Sequence, residues 1–214
     1  RSNVGPSIGT ASFVLKGGVE LADGQQVVDA ARAAGVSTLF TLSGAHIFPV
    51  YDAAVGGKAQ VEKAPDHPTA ERTGRLRLVD TRHEQTAVFA AEATGRLTRT
   101  PGFAAVTAGP GVTNAVSGIA TAHFNGTPMV VLGGRSPDSR WGEGALQELD
   151  QPPIVAPITK GAWTTHDAAE IRRDGDRAFS LAASGPGLLV LAGGTQFPGA
   201  RARHLQGHAH AHDQ

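Results

Sequence analysis

The sequence contains no cysteine, and this absence excludes disulfides, thiolate catalysis and metal sites built on cysteine. Its formal net charge is zero, with 19 basic and 19 acidic residues, so no overall field attracts nucleic acid or an anionic membrane. No apolar run approaches the roughly 18 residues that a membrane span needs, and the first residues lack a signal-peptide pattern. We therefore expect a cytoplasmic protein that binds neither nucleic acid nor membrane.

Short apolar runs alternate with longer segments of helical spacing, which is typical of a parallel sheet covered on both faces. The sequence predicts a doubly wound α/β domain, with a mainly parallel six-stranded sheet in three α/β/α layers. The strand-like runs include 37–42, 76–79, 103–107, 129–132 and 188–191. Helical spacing is present over 23–34, 47–54, 83–97, 112–123 and 167–183. Ligands of such sheets bind beyond the carboxyl ends of the strands.

Three parts are expected along the chain: an irregular amino-terminal extension over 1–21, the domain over 22–194, and a flexible, histidine-rich tail over 195–214. Inside the domain, 56–74 is a polar insertion longer than an ordinary loop. It can serve as a partner contact or be a disordered loop, and we favour the loop. The alternating histidines of the tail can bind zinc or nickel, but nothing supplies a rigid frame. We favour a mobile tail with adventitious metal affinity.

Glu84 stands at the predicted start of a helix, shortly after a strand of the buried type. The helix dipole favours a carboxylate there by about 0.3–1 kcal/mol, so a plain helix-start acid is one interpretation. Small apolar residues follow it and favour partial burial: Ala87, Val88, Ala90 and Ala91. A carboxylate in such surroundings has a hydrogen-bonding partner or takes up a proton more readily than in water. Either property suits proton exchange with a bound heterocycle.

The segment 105–115 predicts a strand, a tight Gly-Pro-Gly turn and a helix. Because Gly109 and Gly111 have no side chain, this backbone can approach a ligand closely. No lysine follows the glycines as it would in a Walker loop, and the G-x-G-x-x-G dinucleotide fingerprint is missing. Taken alone, this turn is a weak signal.

Together these segments resemble the amino-terminal, pyrimidine-binding domain of thiamine-diphosphate enzymes of the acetolactate synthase type and their relatives, which include the 2-hydroxyacyl-CoA lyases. The matching segments, in chain order, are 35–40, 43–49, 81–85, 107–114, 128–134, 146–150 and 157–160. The resemblance covers about 24–191, and the ordered set is far more specific than any single segment.

The resemblance implies that Glu84 is the catalytic residue that activates thiamine diphosphate. In this family the glutamate hydrogen-bonds N1′ of the aminopyrimidine, and the 4′-imino nitrogen then removes the C2 proton of the thiazolium to give the ylid. The cofactor carries the carbanion chemistry, while the protein orients it and places protons. A 2-oxo acid such as pyruvate is then decarboxylated and joined to a second carbonyl compound, as in branched-chain amino acid biosynthesis.

Other positions carry over by the same resemblance. It implies that the cofactor is bound by Gly44, Thr107, Pro110, Gly111 and Asn114, besides Glu84, and that the candidate substrate contacts are His46, Gln147 and Lys160. Ordinary alternatives remain: a turn glycine at Gly44, a helix-start amide at Asn114, exposed polar side chains at Gln147 and Lys160, and a structural histidine at His46. No metal ligand is expected on this chain.

Complete enzymes of this type also carry a middle domain and a diphosphate-binding domain, which is marked by Gly-Asp-Gly and holds Mg²⁺. Here residues 174–176 resemble that motif only superficially, and they lie within a segment of helical spacing. We therefore expect the Mg²⁺ and diphosphate to be held by a partner domain or subunit in a homo- or hetero-oligomer, and FAD remains an option. A fragment, a split subunit and a degenerate relative stay open. The alternative functions are a 2-hydroxyacyl-CoA lyase-type component and a non-catalytic assembly module.

Overall fold

The computed structural model describes residues 11–17, 21–56, 75–184 and 189–195. In these ranges the chain forms a seven-stranded sheet in which every pair of neighbours is parallel. The strands are β1 (Ala11–Gly17), β2 (Thr38–Thr41), β3 (Arg77–Asp80), β4 (Gly102–Val106), β5 (Met129–Arg135), β6 (Gly161–Thr165) and β7 (Leu189–Thr195). The α-helices are α1 (Leu21–Ala33), α2 (Phe48–Ala54), α3 (Glu84–Thr98), α4 (Pro110–Asn125), α5 (Pro152–Val155) and α6 (Ile171–Ala183). None of these helices is long and apolar enough to cross a membrane.

The strand order across the sheet is β1-β6-β7-β5-β4-β2-β3, and β1 also pairs with β7 and β5. Parallel neighbours cannot be joined by a hairpin, so the chain crosses a face of the sheet between strands. Because all strands run the same way, the segments that follow β2, β3, β4 and β5 emerge at one edge, the carboxyl edge. The expected parallel, doubly wound architecture is confirmed.

Helices cover both faces of the sheet, as the alternation of residues along β4 shows. Phe103 packs edge to face on Phe179 of α6, with ring centroids 5.3 Å apart. The preceding Gly102 faces the other way, where a Cβ would collide with the carbonyl of Ala91 in α3. Since successive strand residues point to opposite faces, α6 and α3 lie on opposite faces. The helix α1 packs on both α2 and α6, whereas α4 packs beside α3.

The central strands β4 and β5 are buried along their whole length. A strand covered on both faces needs a nearly continuous apolar sequence, which Gly-Phe-Ala-Ala-Val and Met-Val-Val-Leu-Gly-Gly supply. Small residues in β4 also let α3 lie close to the sheet. This packing fixes the turn after β4 beside the start of α3, and the candidate site lies there.

Two details of the expected architecture were wrong. The sheet has seven strands, one more than predicted. The strand β6 is half-exposed over most of its length, so its sequence lacks the apolar run that marks a buried strand. The strand β1 lies within the amino-terminal extension predicted to be irregular. Residues 57–74 and 196–214, which hold almost all of the predicted insertion and tail, lie outside the described residues.

Candidate active site

Glu84 is the first residue of α3, but the cap of this helix is supplied by its neighbour. The Nδ1 atom of His83 accepts the backbone N–H of Gln85 at 3.2 Å. The turn before it is held by Thr81, whose hydroxyl lies 3.0 Å from the carbonyl oxygens of both Thr41 and His83 and shares its one proton between them. Because a different side chain caps α3, the Glu84 carboxylate is left for another partner.

That partner is Asn114, one turn into α4. Its Nδ2 donates to Oε2 of Glu84 at 3.1 Å, and the Glu84 side chain is only 7% exposed. The second oxygen, Oε1, makes no hydrogen bond within the described part of the chain, and it is not among the buried unpartnered atoms there. The predicted burial of this acid is confirmed, and a hydrogen-bonding partner, one of the two alternatives, is present. One oxygen is oriented by the protein, and the other can accept a hydrogen bond from a ligand.

A second polar group centres on Thr107, the first residue after β4, which is 8% exposed. Its hydroxyl donates to Oε1 of Gln147 at 3.1 Å and lies 3.3 Å from Nδ1 of His46. His46 is half-buried in the 3-10 turn that follows β2, and Gln147 is half-buried in the loop that follows β5. Burial lowers the pKa of His46, and a hydrogen bond with Gln147 partly offsets this effect. Three segments thus meet at one hydroxyl.

The start of α4 bridges these two polar groups. Pro110 opens the helix, where its missing N–H costs nothing. Gly111 packs on Thr107, because a Cβ there would lie 2.9 Å from the Thr107 methyl carbon. Asn114 is three residues further on, on the same face of the helix, and reaches Glu84. The structure therefore brings these predicted cofactor residues together.

Two glycines let the backbone segments of the site approach one another. A Cβ at Gly44 would collide with the side chain of Thr107. Gly109 has a φ of +57°, in the left-handed region that favours glycine, and a Cβ there would lie 2.7 Å from the carbonyl oxygen of Gln147. The turn after β2, the turn after β4 and the loop after β5 can converge only with glycine at these positions.

Gln147 is held in an unusual backbone conformation by the loop 136–151. Its φ is +59°, which is rare for a residue other than glycine. The hydroxyl of Ser136 donates to the carbonyl of Leu146 at 2.6 Å, and the carboxylate of Glu148 accepts two backbone N–H groups of the same loop, at 2.8 and 3.0 Å. Such conformations persist where surrounding contacts enforce them, and they are concentrated at ligand sites.

Lys160 does not join this cluster. It immediately precedes β6, so it lies at the amino edge of the sheet, opposite the other predicted site residues. Its Nζ donates to the carbonyl of Leu181 near the end of α6 at 2.9 Å, and burial lowers the pKa of Lys160. A cation near the carboxyl end of a helix is stabilised by the helix dipole. The placement gives Lys160 a structural partner, and we leave it out of the site.

Three residues of the site were not predicted: Gly134, Ser136 and Glu148. A Cβ at Gly134 would collide with the Cβ of His46, and the Gly134 carbonyl accepts Nε2 of the buried Gln151 at 2.8 Å. A glycine at the carboxyl end of a buried strand is a visible signal for a close approach. The side chains of Ser136 and Glu148 hydrogen-bond backbone groups of the loop 136–151. No residue pattern in the sequence indicates such contacts.

The assembled residues fit the aminopyrimidine half of thiamine diphosphate. Glu84 has a carboxylate oxygen that can accept a hydrogen bond from a ring nitrogen, and Asn114 orients that carboxylate. In the described ranges no group of three or more His, Cys, Asp or Glu side chains could hold a metal ion. The segment 174–176, which only superficially resembles the Gly-Asp-Gly motif, lies in α6. Its Asp174 is buried there and accepts a hydrogen bond from the hydroxyl of Thr165 at 2.8 Å.

A parallel α/β domain with a buried glutamate and a glycine-lined polar cluster at its carboxyl edge defines a cofactor-binding domain. The family model of the amino-terminal TPP binding domain of thiamine pyrophosphate enzymes matches residues 23–154. The chain belongs to this family, as its ordered motifs predicted.

Relatives of known name support the same conclusion. The acetolactate synthase large subunit IlvG of Mycobacterium tuberculosis is 45% identical over 163 residues, which are 76% of this chain and 27% of the relative. The 2-hydroxyacyl-CoA lyase 2 of Danio rerio is 39% identical over 169 residues, which are 78% of this chain and 24% of the relative. The acetolactate synthase large subunit of Parasynechococcus marenigrum is 39% identical over 166 residues, 77% of this chain and 25% of the relative. The chain thus spans about a quarter of the length of these curated relatives.

Proposed function

We propose that this chain supplies the pyrimidine-binding half of the active site of an acetolactate synthase-like enzyme. Such an enzyme decarboxylates a 2-oxo acid, such as pyruvate, and joins the remaining acyl carbon to a second carbonyl compound. The observation that carries the proposal is the Glu84 carboxylate, with one oxygen fixed by Asn114 and the other able to accept a ligand. The non-catalytic alternative does not explain why this arrangement is present.

In this proposal, the main role of the protein is to place a hydrogen bond from Glu84 at the aminopyrimidine ring of the cofactor. Bound thiamine diphosphate supplies the ring that stabilises a carbanion. Glu84 would hold the ring nitrogen N1′ by a hydrogen bond, and the burial of Glu84 would strengthen that bond because the local dielectric is low. Asn114 occupies Oε2, so Oε1 is the oxygen that would face the ring. Gly44 and Gly111 let the Thr107 side chain pack directly on their backbone.

Substrate contacts are assigned to the neighbouring polar group. Gln147 uses its Oε1 to accept from Thr107, so its two amide N–H groups remain as donors for a carbonyl or carboxylate oxygen. His46 lies on the other side of the same hydroxyl. Both residues follow strands that end at the carboxyl edge, where ligands of parallel sheets bind.

A partner domain or subunit completes the proposed enzyme by holding the diphosphate and Mg²⁺. The pair α3 and α4 carries exposed apolar side chains that suit such a contact: Phe89, Leu97 and Phe124. We propose a homo- or hetero-oligomer on this basis. The possible FAD and the cytoplasmic location stay predictions from the sequence.

A carbon–carbon lyase is the second candidate function. It is supported by the 39% identity to the 2-hydroxyacyl-CoA lyase 2 of Danio rerio. The same residues would serve it, because they would hold the cofactor in the same way whether a carbon–carbon bond is formed or cleaved. Measuring the product from pyruvate against that from a 2-hydroxyacyl-CoA separates the two candidates.

Calorimetric titration tests the proposed division of the site. The chain alone, titrated with thiamine diphosphate and Mg²⁺, should show no measurable binding. Addition of the diphosphate-binding domain of the Mycobacterium tuberculosis relative should create a binding site, and Glu84→Gln should weaken it. Tight, Mg²⁺-dependent binding by the chain alone would refute the division.

A further inference from the structure

The hydrogen bonds around Thr107 fix where the protons are. A threonine hydroxyl has one proton to donate and lone pairs to accept with. Thr107 donates that proton to Oε1 of Gln147, which can only accept. Its contact with Nδ1 of His46, at 3.3 Å, therefore requires Nδ1 to be the donor. The ring of His46 then carries its proton on Nδ1.

This assignment determines the chemistry of the other ring nitrogen. In a neutral imidazole one nitrogen is a donor and the other is an acceptor. With the proton on Nδ1, Nε2 of His46 carries a lone pair. No described residue hydrogen-bonds Nε2, and the ring is only half-buried, beside the Gly134 backbone. The lone pair is therefore available to a molecule bound at the carboxyl edge.

We propose that Nε2 of His46 is the proton acceptor for a hydroxyl group of the substrate, in the active site assigned under the proposed function. The O–H bond breaks, an Nε2–H bond forms, and the ring becomes an imidazolium opposite an alkoxide. The reverse transfer returns the proton when a carbonyl oxygen becomes a hydroxyl. No other reactant is needed, and the Nδ1–H bond to Thr107 is kept throughout.

The surroundings of the ring suit a proton that is held only briefly. Burial lowers the pKa of His46, so the ring is neutral and ready to accept near neutral pH. The hydrogen bond with Gln147 acts in the opposite direction and supports the charged form once it appears. Gln147 thus stabilises the imidazolium and also has amide N–H groups to donate to the substrate.

Nitrogen-15 NMR of the chain itself tests the proton positions, independently of any cofactor. Two other histidines serve as internal standards: Nδ1 of His83 accepts a backbone N–H, which requires the Nε2–H form, and Nδ1 of His166 bonds the carboxylate of Asp138, which requires the Nδ1–H form. The signals of His46 are assigned by their loss in His46→Asn. We expect His46 to match His166. A match with His83 would overturn the proposal.

Two variants sharpen this measurement. In Gln147→Leu the Thr107 proton loses its acceptor and turns to Nδ1, so the His46 ring should change to the Nε2–H form. In Thr107→Val the ring should lose its preference for Nδ1–H. An unchanged His46 spectrum in Gln147→Leu would show that this hydrogen-bond chain does not set the proton position, and the proposal would fail.

Turnover by the assembled enzyme tests the role of Nε2. His46→Asn retains an amide donor near the position of Nδ1 but has no counterpart of Nε2. We expect kcat to fall by about 10²–10⁴-fold with KM changed only slightly, and the limb of the pH profile due to His46 to disappear. A kcat within threefold of wild type would contradict the proposal. Proton–deuterium exchange at C2 of the cofactor in the wild type checks the Glu84 half separately, so its absence would count against the proposed function instead.

Discussion

Two buried glutamates on one helix differ in the hydrogen bonds that the fold gives them. Glu84 and Glu92 both lie on α3, about 12 Å apart along its axis, and are 7% and 6% exposed. Oε1 of Glu92 accepts from Nδ2 of Asn125 at 2.9 Å and from the hydroxyl of Thr127 at 2.8 Å. Asn125 is the last residue of α4, and Thr127 lies between α4 and β5. The hydrogen bonds of Glu92 therefore connect α3 to the end of α4 at the amino edge of the sheet.

Glu84 has a different set of partners at the carboxyl edge. It accepts one hydrogen bond, from Asn114, and has an oxygen to spare. Burial and residue type therefore do not distinguish Glu84 from Glu92. The two acids differ in the hydrogen bonds that the fold supplies and in the edge of the sheet at which they lie, and the proposed role of Glu84 depends on these differences.

Replacing Glu92 with leucine should cause the largest loss of stability among the following changes. The free energy of unfolding should fall by about 1–3 kcal/mol, because Asn125 and Thr127 lose this acceptor. Urea denaturation measures it, with Glu92→Gln as the matched control, since glutamine keeps one acceptor oxygen. Equal stability of Glu92→Leu and wild type would show that the hydrogen bonds of Glu92 do not stabilise the fold, and the contrast with Glu84 would be lost.

Replacing Gly44 with alanine should cost somewhat less, about 1–2 kcal/mol, because the new Cβ collides with Thr107. A double-mutant cycle with Thr107→Gly identifies the cause, since the penalty should disappear when the Thr107 side chain is absent. Urea denaturation again gives the values. Strict additivity of the two changes would show that Gly44 is constrained by something other than Thr107.

Replacing Asn114 with alanine should have the smallest effect on the fold, because Asn114 is exposed at its helix surface. Its effect should appear at the cofactor: exchange at C2 in the assembled enzyme should slow about tenfold, the value of one hydrogen bond to a carboxylate. An unchanged exchange rate would show that Asn114 does not orient Glu84.

The sequence predicted the fold class and the main acid because both leave local patterns. Buried strands such as β4 and β5 need apolar runs. The strand before Glu84 was expected to be of this buried type, but β3 is a half-exposed edge strand, so the ordered motifs alone identified Glu84. The half-exposed β6 leaves no such run. Lys160 was named from the resemblance alone, and the strand that begins after it was not predicted; because Lys160 immediately precedes β6, it lies at the amino edge.

The polar network around Thr107 could be predicted only in part. The resemblance indicated His46, Thr107 and Gln147 one by one, but not the hydrogen bonds that join them. These bonds depend on the fold of the loop 136–151, which is held by contacts to its own backbone. Backbone atoms are the same at every residue, so such contacts leave no trace in the sequence.

The most direct test of the central claim is proton–deuterium exchange at C2 of thiamine diphosphate in the assembled enzyme, with Glu84→Gln and Glu92→Gln compared side by side. Exchange should slow by about 10²–10⁴-fold in Glu84→Gln, because the proton on N1′ loses its partner, and stay at the wild-type rate in Glu92→Gln. The unfolding midpoint of Glu84→Gln should stay near that of wild type. Unchanged exchange in Glu84→Gln, or an equal loss in both variants, would contradict the account.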